Sequence, residues 1–245
     1  MRRSQIDGAR HAAAIMKLLV QKLRQAWPDV QIILRADSGF CRQLLINWCE
    51  RNGVDYIIGV ARNQRLQAAV THWEEVLRQQ YRQTSQKQRA IHEFRYGAKT
   101  WKKERRVITR LEYGHQGVNP RFIVTNLKEC PIHLYDEVYC QRGEAENRIK
   151  ETQLDLFGTR TSCQHFLPNW FRIMLSAFAY TLMQRLKKLA LANTELARAT
   201  TATIRSRLLK IGAVVIRNTR RIRILYASHH PLRDLFAHAT QALAP

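Results

Sequence analysis

Acidic residues are scarce in this sequence. Its 245 residues include 19 Asp and Glu against 41 Lys and Arg, which gives a formal net charge of +22. Such an excess of positive charge implies a polyanionic partner, and DNA, RNA and an anionic membrane surface all qualify. The hydrophobic fraction of 45% excludes a disordered chain and indicates a globular protein with a sizeable core.

Long apolar runs and paired cysteine motifs are also missing. The longest apolar stretch, residues 171–183, is interrupted by Arg172 and is too short to span a bilayer. The first 13 residues contain no apolar segment of a secretory signal. The five cysteines are odd in number and none has Cys-x-x-Cys spacing. We therefore expect no membrane partner, no zinc site and no disulfide framework, but reduced, buried thiols in a cytoplasmic protein.

The order of apolar patterns in the first quarter predicts an α/β core. Residues 8–26 have apolar side chains at helical spacing, and Asp7 is placed to cap that helix. Residues 31–40 then predict a buried strand, 41–53 a helix that stops at Asn-Gly, and 54–61 a second buried strand. A strand–helix–strand order favours a parallel pair.

The pattern changes after Asn63. Residues 66–83 predict a helix, and 91–113 predict two strands joined by a turn near Gly97. Because a core-like strand resumes at 121–127, we predict an inserted β-rich subdomain over 64–120. The α/β core then comprises residues 1–63 and 121–165.

The last third of the chain predicts a mostly helical, basic region, residues 166–245. Helical spacing predicts helices over 168–192 and 194–210, and a last short helix over 231–243. Between them, residues 213–227 predict a hairpin with its turn near Asn218 and Thr219.

Asp37 ends the first predicted strand, which is where α/β folds place ligand-binding and catalytic groups. One interpretation is therefore a divalent-metal ligand. The other is an Asx-turn with Ser38 and Gly39, which such turns commonly use. The sequence leaves both open.

Residues 139–153 carry an unusual set of polar side chains. In one continuous helix, Tyr139, Arg142, Glu146 and Gln153 fall at i, i+3, i+7 and i+14 and share one face. Glu146 then becomes a candidate second metal ligand, since hard cations need carboxylate oxygens. The alternative is a surface Glu146–Lys150 pair at i,i+4. Glu144 and Glu151 lie off this face and rank below Glu146.

Tyr139 and Arg142 are candidates for holding a DNA phosphate beside the metal. Arg suits this task because its planar fork makes bidentate contacts. The alternative for Arg142 is a salt bridge with Asp136 or Glu137. Trp101, beside Lys99, Lys102 and Lys103, could stack on a base, although a packed tryptophan is the more ordinary interpretation.

A basic stretch without acidic partners predicts a phosphate-backbone footprint. It consists of Arg198, Arg205, Arg207, Lys210, Arg217, Arg220, Arg221 and Arg223.

Three blocks of sequence together resemble a known family. RADSGF at 35–40, CERNGVDYIIGVARN at 49–63 and YCQRGEAENRIKE at 139–151 follow one another as in the DDE transposases of bacterial insertion sequences. They are most similar to the subgroup whose helix carries Tyr–x2–Arg–x3–Glu–x6–Lys.

The resemblance implies an RNase H-like fold with an inserted β-rich domain. It implies three carboxylates that bind two Mg2+ ions (Mn2+ is also possible), cleavage of transposon ends, and joining of the 3′-OH to target DNA. Asp37 resembles the second acidic residue and Glu146 the third, while Tyr139 and Arg142 match the helix signature. Trp101 falls in the region where the family holds a base-stacking tryptophan.

Two departures from the family pattern matter. Gln153 stands where the signature has Lys, and Lys150 could partly substitute for that phosphate contact. The family's first Asp belongs upstream of RADSGF on a strand that this sequence does not contain, and Asp7 is no substitute because it precedes a helix. We therefore predict a truncated C-terminal part of a transposase with impaired activity.

The expected partners are terminal inverted repeats and target DNA. We expect the protein to bind them as a homodimer assembled on DNA, in the cytoplasm at the nucleoid. The main alternative is a catalytically inactive DNA-binding remnant or inhibitor of transposition. A nuclease unrelated to transposition is a weaker one.

Overall fold

The computed structural model describes residues 6–244. These residues form two compact units, 6–143 and 144–244. None of the helices between residues 6 and 244 combines the length and the hydropathy of a bilayer-crossing segment.

The first unit is mixed α/β. Its helices are α1 Ala12–Ala26, α2 Gln43–Arg51, α3 Gln64–Thr84 and the short α4 Pro131–His133. Its strands are β1 Ile33–Ala36, β2 Asp55–Val60, β3 Gln88–Tyr96, β4 Arg105–Gly114, β5 Gly117–Val118 and β6 Arg121–Thr125. The long helix α3 packs on β3 and β4.

All six strands belong to one mixed sheet in the order β1-β2-β6-β4-β3, with β5 paired to β4. The β1–β2 pair is parallel, as predicted, and the other pairs are antiparallel. Side chains of the central strands alternate between two core clusters. Ile57 and Ile123 belong to one cluster, and Ile58 and Val124 belong to the other. Burial on both faces explains the near-continuous apolar runs of β2 and β6.

The strands of segment 64–120 extend the sheet that β1 and β2 begin. β4 pairs directly with β6 over five register positions, so no separate sheet forms from this segment. The segment supplies three strands, as the β-rich pattern predicts, and also the 21-residue helix α3. The predicted domain boundaries themselves stay a prediction.

The predicted single helix over 139–153 is wrong in detail. A π-helical turn spans Leu134–Tyr139, the regular helix α5 covers Arg142–Lys150, and a second π-helical turn spans Glu151–Asp155. A π-helix bonds i to i+5, so these turns change the spacing on which the predicted common face of Tyr139 and Gln153 depends. The boundary between the two compact units falls within α5.

The second unit is mostly helical with one hairpin. After α5 it contains α6 Phe166–Ala190, α7 Thr201–Ile204, β7 Ala213–Arg217, β8 Ile222–Tyr226 and α8 Arg233–Ala242. The helix predicted over 194–210 is shorter than expected. Turns occupy the residues up to Thr200, whose hydroxyl accepts a hydrogen bond from Thr203 N and so caps α7. The chain continues as a π-helical turn, Arg205–Leu209.

Two smaller predictions are also corrected. Asp7 does not cap α1, because its carboxylate accepts from Ala9 N and the helix begins at Ala12. All five cysteines are free, but only Cys49 is fully buried and Cys41 partly so. The exposed cysteines are Cys130, Cys140 and Cys163.

Candidate active site

One edge of the sheet collects the residues that the sequence predicts to be functional. β1 and β2 are parallel, so Asp37 and the end of β2 lie at the same edge. β6 runs antiparallel to β2 and places Phe122 opposite Val60. Strands from distant parts of the sequence therefore deliver side chains to one place, as at the strand ends of other α/β folds.

Asp37 forms an Asx-turn, which is one of the two roles that the sequence leaves open for this residue. Its Oδ1 accepts a hydrogen bond of 2.9 Å from Gly39 N, which begins the single turn Ser38–Phe40. The side chain is nevertheless exposed, and its Oδ2 accepts no hydrogen bond from residues 6–244. The turn fixes the carboxylate at the sheet edge and leaves one oxygen for a ligand.

Tyr139 and Arg142 contact each other and lie close to Asp37. The Arg142 guanidinium carbon is 5.6 Å from the centre of the Tyr139 ring. Burial raises the pKa of Tyr139, the nearby Arg142 opposes this, and the Asp37 charge adds to it. The phenol therefore stays protonated at neutral pH and can donate to an anion. Asp136 instead forms an ion pair with Arg89.

Arg35 ties this segment to the strand that carries Asp37. Its Nη1 donates to the Val138 carbonyl and to Gln141 Oε1, each at 3.1 Å. Since Arg35 lies in β1, two residues before Asp37, these bonds hold the Tyr139 segment beside the strand end. Arg35 therefore positions the site without needing to touch a substrate.

Gly59 allows Tyr139 to approach the sheet. A Cβ at this position would lie 2.7 Å from the Tyr139 hydroxyl and 3.0 Å from Ser38 N. Both distances are too short for an added methyl group, and one of them is to backbone. Glycine inside a strand often marks such a close approach.

These residues line a cleft of about 620 Å³ in the first unit. The lining includes one carboxylate, Asp37, and four arginines: Arg62, Arg110, Arg121 and Arg142. Arg110 and Arg121 lie directly opposite each other in the register of β4 and β6. Like charges side by side on a sheet repel each other, and Glu112, 3.4 Å from Arg110, already offsets part of this repulsion. The cleft has the charge and the donors to bind a phosphodiester.

The described residues do not by themselves complete a metal site. Within residues 6–244 no three His, Cys, Asp or Glu side chains lie together as a group that could hold a metal ion. In the first unit the cleft offers a single carboxylate, which is too few oxygen ligands for a hard cation.

Glu146 lies on α5 four residues after Arg142, so the two share a face of that helix. Its side chain is exposed, as are Lys150 and Gln153. The neighbouring glutamates, Glu144 and Glu151, are also engaged in contacts. Glu144 pairs with Arg148 on the surface, whereas the buried Glu151 accepts from the Thr201 hydroxyl at 2.6 Å and pairs with Arg148. Both have structural partners within the second unit.

Several residues predicted to bind DNA also have partners within the protein. Trp101 packs edge-on against Tyr96, and the Arg105 guanidinium lies 5.1 Å from its ring centre, which favours the packed interpretation. Arg205 donates to the Asp155 carbonyl at 2.6 Å, and Arg207 lies 3.6 Å from Glu195. The other members of the predicted basic footprint outside the hairpin, Arg198 and Lys210, are exposed, as are Arg207 and the four hairpin arginines.

Sequence reasoning missed most of the arginines in the cleft. Arg62, Arg110 and Arg121 come from segments whose strand register a single sequence does not reveal. Gly59 could have been found, because an isolated glycine in an otherwise apolar strand is a recognisable signal of close approach.

The comparison with known families agrees with the resemblance. The sequence matches the family described as Transposase DDE domain group 1 over residues 1–245. The chain belongs to this family. Membership implies transposase function and a general dependence on a divalent metal. No curated protein and no solved structure matches the chain.

The close approach at Gly59 leads to a first prediction. We expect Gly59→Ala to lower the free energy of unfolding by about 1–3 kcal/mol, because the new methyl group clashes with Tyr139 and Ser38. Adding Tyr139→Phe removes the hydroxyl and should restore part of this loss. Chemical denaturation of the two variants measures both effects. Gly143→Ala, where a Cβ meets nothing within 4 Å, is the control. Equal losses in the single and double variants would contradict the clash.

Proposed function

We propose that this protein is the transposase of a bacterial insertion sequence. It cuts the terminal inverted repeats of its element and joins the 3′-OH to target DNA, using an RNase H-like core. The observation that carries the proposal is the cleft at the carboxyl end of β1, where Asp37 lies beside Tyr139 and Arg142 and among arginines. This combination suits a DNA phosphate, and the family match supports the same chemistry.

In this proposal Asp37 and Glu146 are the catalytic carboxylates and bind Mg2+, with Mn2+ as a possible substitute. Tyr139 and Arg142 hold the DNA phosphate. Lys150 and Gln153 contact the DNA backbone farther along. The active species is a homodimer assembled on DNA, and its partner would place it at the nucleoid. Because no cluster of three candidate metal ligands lies within residues 6–244, we propose low cleavage activity for this chain alone.

The second candidate function is that of a DNA-binding inhibitor that occupies transposon ends without cutting them. The incomplete set of carboxylates favours it, together with the excess of basic residues. It needs no metal, so its binding to DNA persists in EDTA and weakens as salt rises.

A strand-transfer assay tests the transposase proposal. The purified chain is incubated with a duplex carrying the DNA ends that flank its own gene, and with a supercoiled plasmid, in Mg2+ or in EDTA. We expect a small yield of joined product that requires Mg2+ and disappears with Glu146→Gln. Binding of the duplex without metal-dependent cutting or joining at any protein concentration would support the inhibitor. A chain that neither binds nor cuts DNA would contradict both functions.

A further inference from the structure

The β7–β8 hairpin ends in a tip rich in arginine. Arg217 and Arg223 lie at the ends of the paired strands, and Arg220 and Arg221 lie in the turn between them. All four side chains are exposed, and their guanidinium groups form no ion pair or side-chain hydrogen bond with residues 6–244. From residue 196 to residue 233 the chain has nine Lys and Arg and no Asp or Glu.

The shape of this tip is fixed by its own hydrogen bonds. Asn218 N donates to the Arg221 carbonyl, and Asn218 Oδ1 accepts from Arg220 N at 3.1 Å and Arg221 N at 2.9 Å. At the other end of the hairpin, the Tyr226 ring lies 5.3 Å from the ring of Phe236 in α8. The arginines are therefore presented on an ordered ribbon that is attached to the helical part of its own unit.

The strand register distributes the charge around the ribbon. Arg217 faces Ile222 across the ladder, and Arg223 faces Ile216 one position away, so the two arginines point to opposite faces. A ribbon with cations on both faces and in its turn can contact both phosphate backbones that border a groove. The major groove of duplex DNA is about 12 Å wide and admits a two-stranded ribbon.

We propose that the β7–β8 hairpin is a DNA-binding arm whose arginine tip enters a groove of duplex DNA and binds the phosphate backbone. This inference rests on the proposed function only in taking DNA as the partner, and it assigns a contact separate from the cleft around Asp37. The hairpin also has exposed apolar residues, including Val214, Ile216 and Leu225. A second copy of the chain could bind this apolar surface in place of DNA. Charge favours DNA, because two such tips would repel each other.

The test measures binding of the full chain to a labelled duplex of generic sequence in EDTA, over a series of salt concentrations. The hairpin variant replaces Arg217, Arg220, Arg221 and Arg223 by Gln. A control variant replaces four exposed cations elsewhere: Lys17, Lys22, Arg82 and Lys188. Both variants lose the same charge, so long-range attraction to DNA changes equally. Circular dichroism and thermal unfolding confirm that each variant folds.

We expect the hairpin variant to bind at least about tenfold more weakly than the control variant. Each lost phosphate contact should also reduce the slope of log affinity against log salt by about one. Equal affinities and slopes in the two variants would overturn the arm. The proposal would also be overturned if the wild type is a dimer, the variant with Val214→Ser and Leu225→Ser is a monomer, and the two bind DNA equally.

These results are separable from those for the transposase proposal. If the hairpin variant binds DNA more weakly but the wild type shows no metal-dependent cutting, the DNA-binding role of the hairpin is supported and the transposase proposal is contradicted. If the hairpin variant joins DNA in a metal-dependent reaction and binds DNA as tightly as the wild type, the transposase proposal is supported and the DNA-binding role of the hairpin is overturned.

Discussion

Replacing Arg105 by Met is expected to lower the free energy of unfolding by about 3–5 kcal/mol, the usual loss when one partner of a buried ion pair is removed. Arg105 lies in β4 with only 3% of its side chain exposed, and it donates to both carboxylate oxygens of Glu50, at 2.8 and 3.1 Å. Glu50 also accepts from the Tyr56 hydroxyl and pairs with Lys103. The variant leaves Glu50 without its main partner.

The double variant Glu50→Leu with Arg105→Met should lose less stability than either single variant, because it leaves no buried charge unpaired and Lys103, which loses Glu50, is exposed. Glu75→Gln serves as the control, since the Glu75–Arg78 pair is half exposed and should contribute less than about 1 kcal/mol. Denaturant titrations measure all four proteins. A loss from Arg105→Met as small as that from Glu75→Gln would show that the pair does not stabilise the fold.

The same pair makes stability depend on acid pH. Burial alone would raise the pKa of Glu50, but hydrogen bonds from Arg105, Tyr56 and Lys103 outweigh it and lower the pKa from 4.5 to about 2. A lowered carboxylate pKa contributes stability that is present above pH 4.5 and is lost as the pH falls towards 2. We expect Glu50→Gln to flatten the stability profile over this window, as measured by denaturant titrations at a series of pH values. An unchanged profile would contradict the assignment.

The second large effect concerns metal-dependent cleavage. Each of Asp37→Asn and Glu146→Gln is expected to reduce Mg2+-dependent cutting by the chain at least about 100-fold, because each removes a carboxylate that we propose to bind the metal. Both substitutions keep the size of the side chain, so DNA binding in EDTA should change little. The measurement is the nicking rate of a supercoiled plasmid at saturating protein.

Glu144→Gln is the matched control for Glu146→Gln, because it removes an exposed carboxylate from the same helix. It should keep cleavage close to that of the wild type. If Glu144→Gln abolished cutting and Glu146→Gln did not, the ranking of the two glutamates would be reversed.

Much of the first unit could be predicted because its signals are local. The C-terminal end of α2 and the burial of β2 follow from an Asn-Gly stop and an apolar run, and Gly53 has the positive φ of 58° that such a stop requires. The parallel β1–β2 pair follows from the strand–helix–strand order. The hairpin at Asn218 was equally local, since its turn residues interrupt two short apolar strands.

The remaining features depend on contacts between distant segments. The register that brings Arg110 opposite Arg121 and the pairing of β4 with β6 leave no trace in a single sequence. The π-helical turns on either side of α5 also escaped prediction, because apolar spacing assumes 3.6 residues per turn throughout. Arg205 was assigned to DNA by composition, whereas packing also gives it a protein partner. The contacts of Trp101 favour its packed interpretation over base stacking.

The most direct test of the account locates the bound metal. Fe2+ replaces Mg2+ in the presence of duplex DNA, and ascorbate with peroxide then generates hydroxyl radicals that cut the chain next to the bound iron. We predict cuts beside both Asp37 and Glu146, suppressed by excess Mg2+ and lost from both positions in Asp37→Asn and in Glu146→Gln. Cuts that lie elsewhere, or that persist in both variants, would contradict the claim that these two carboxylates bind the catalytic metal.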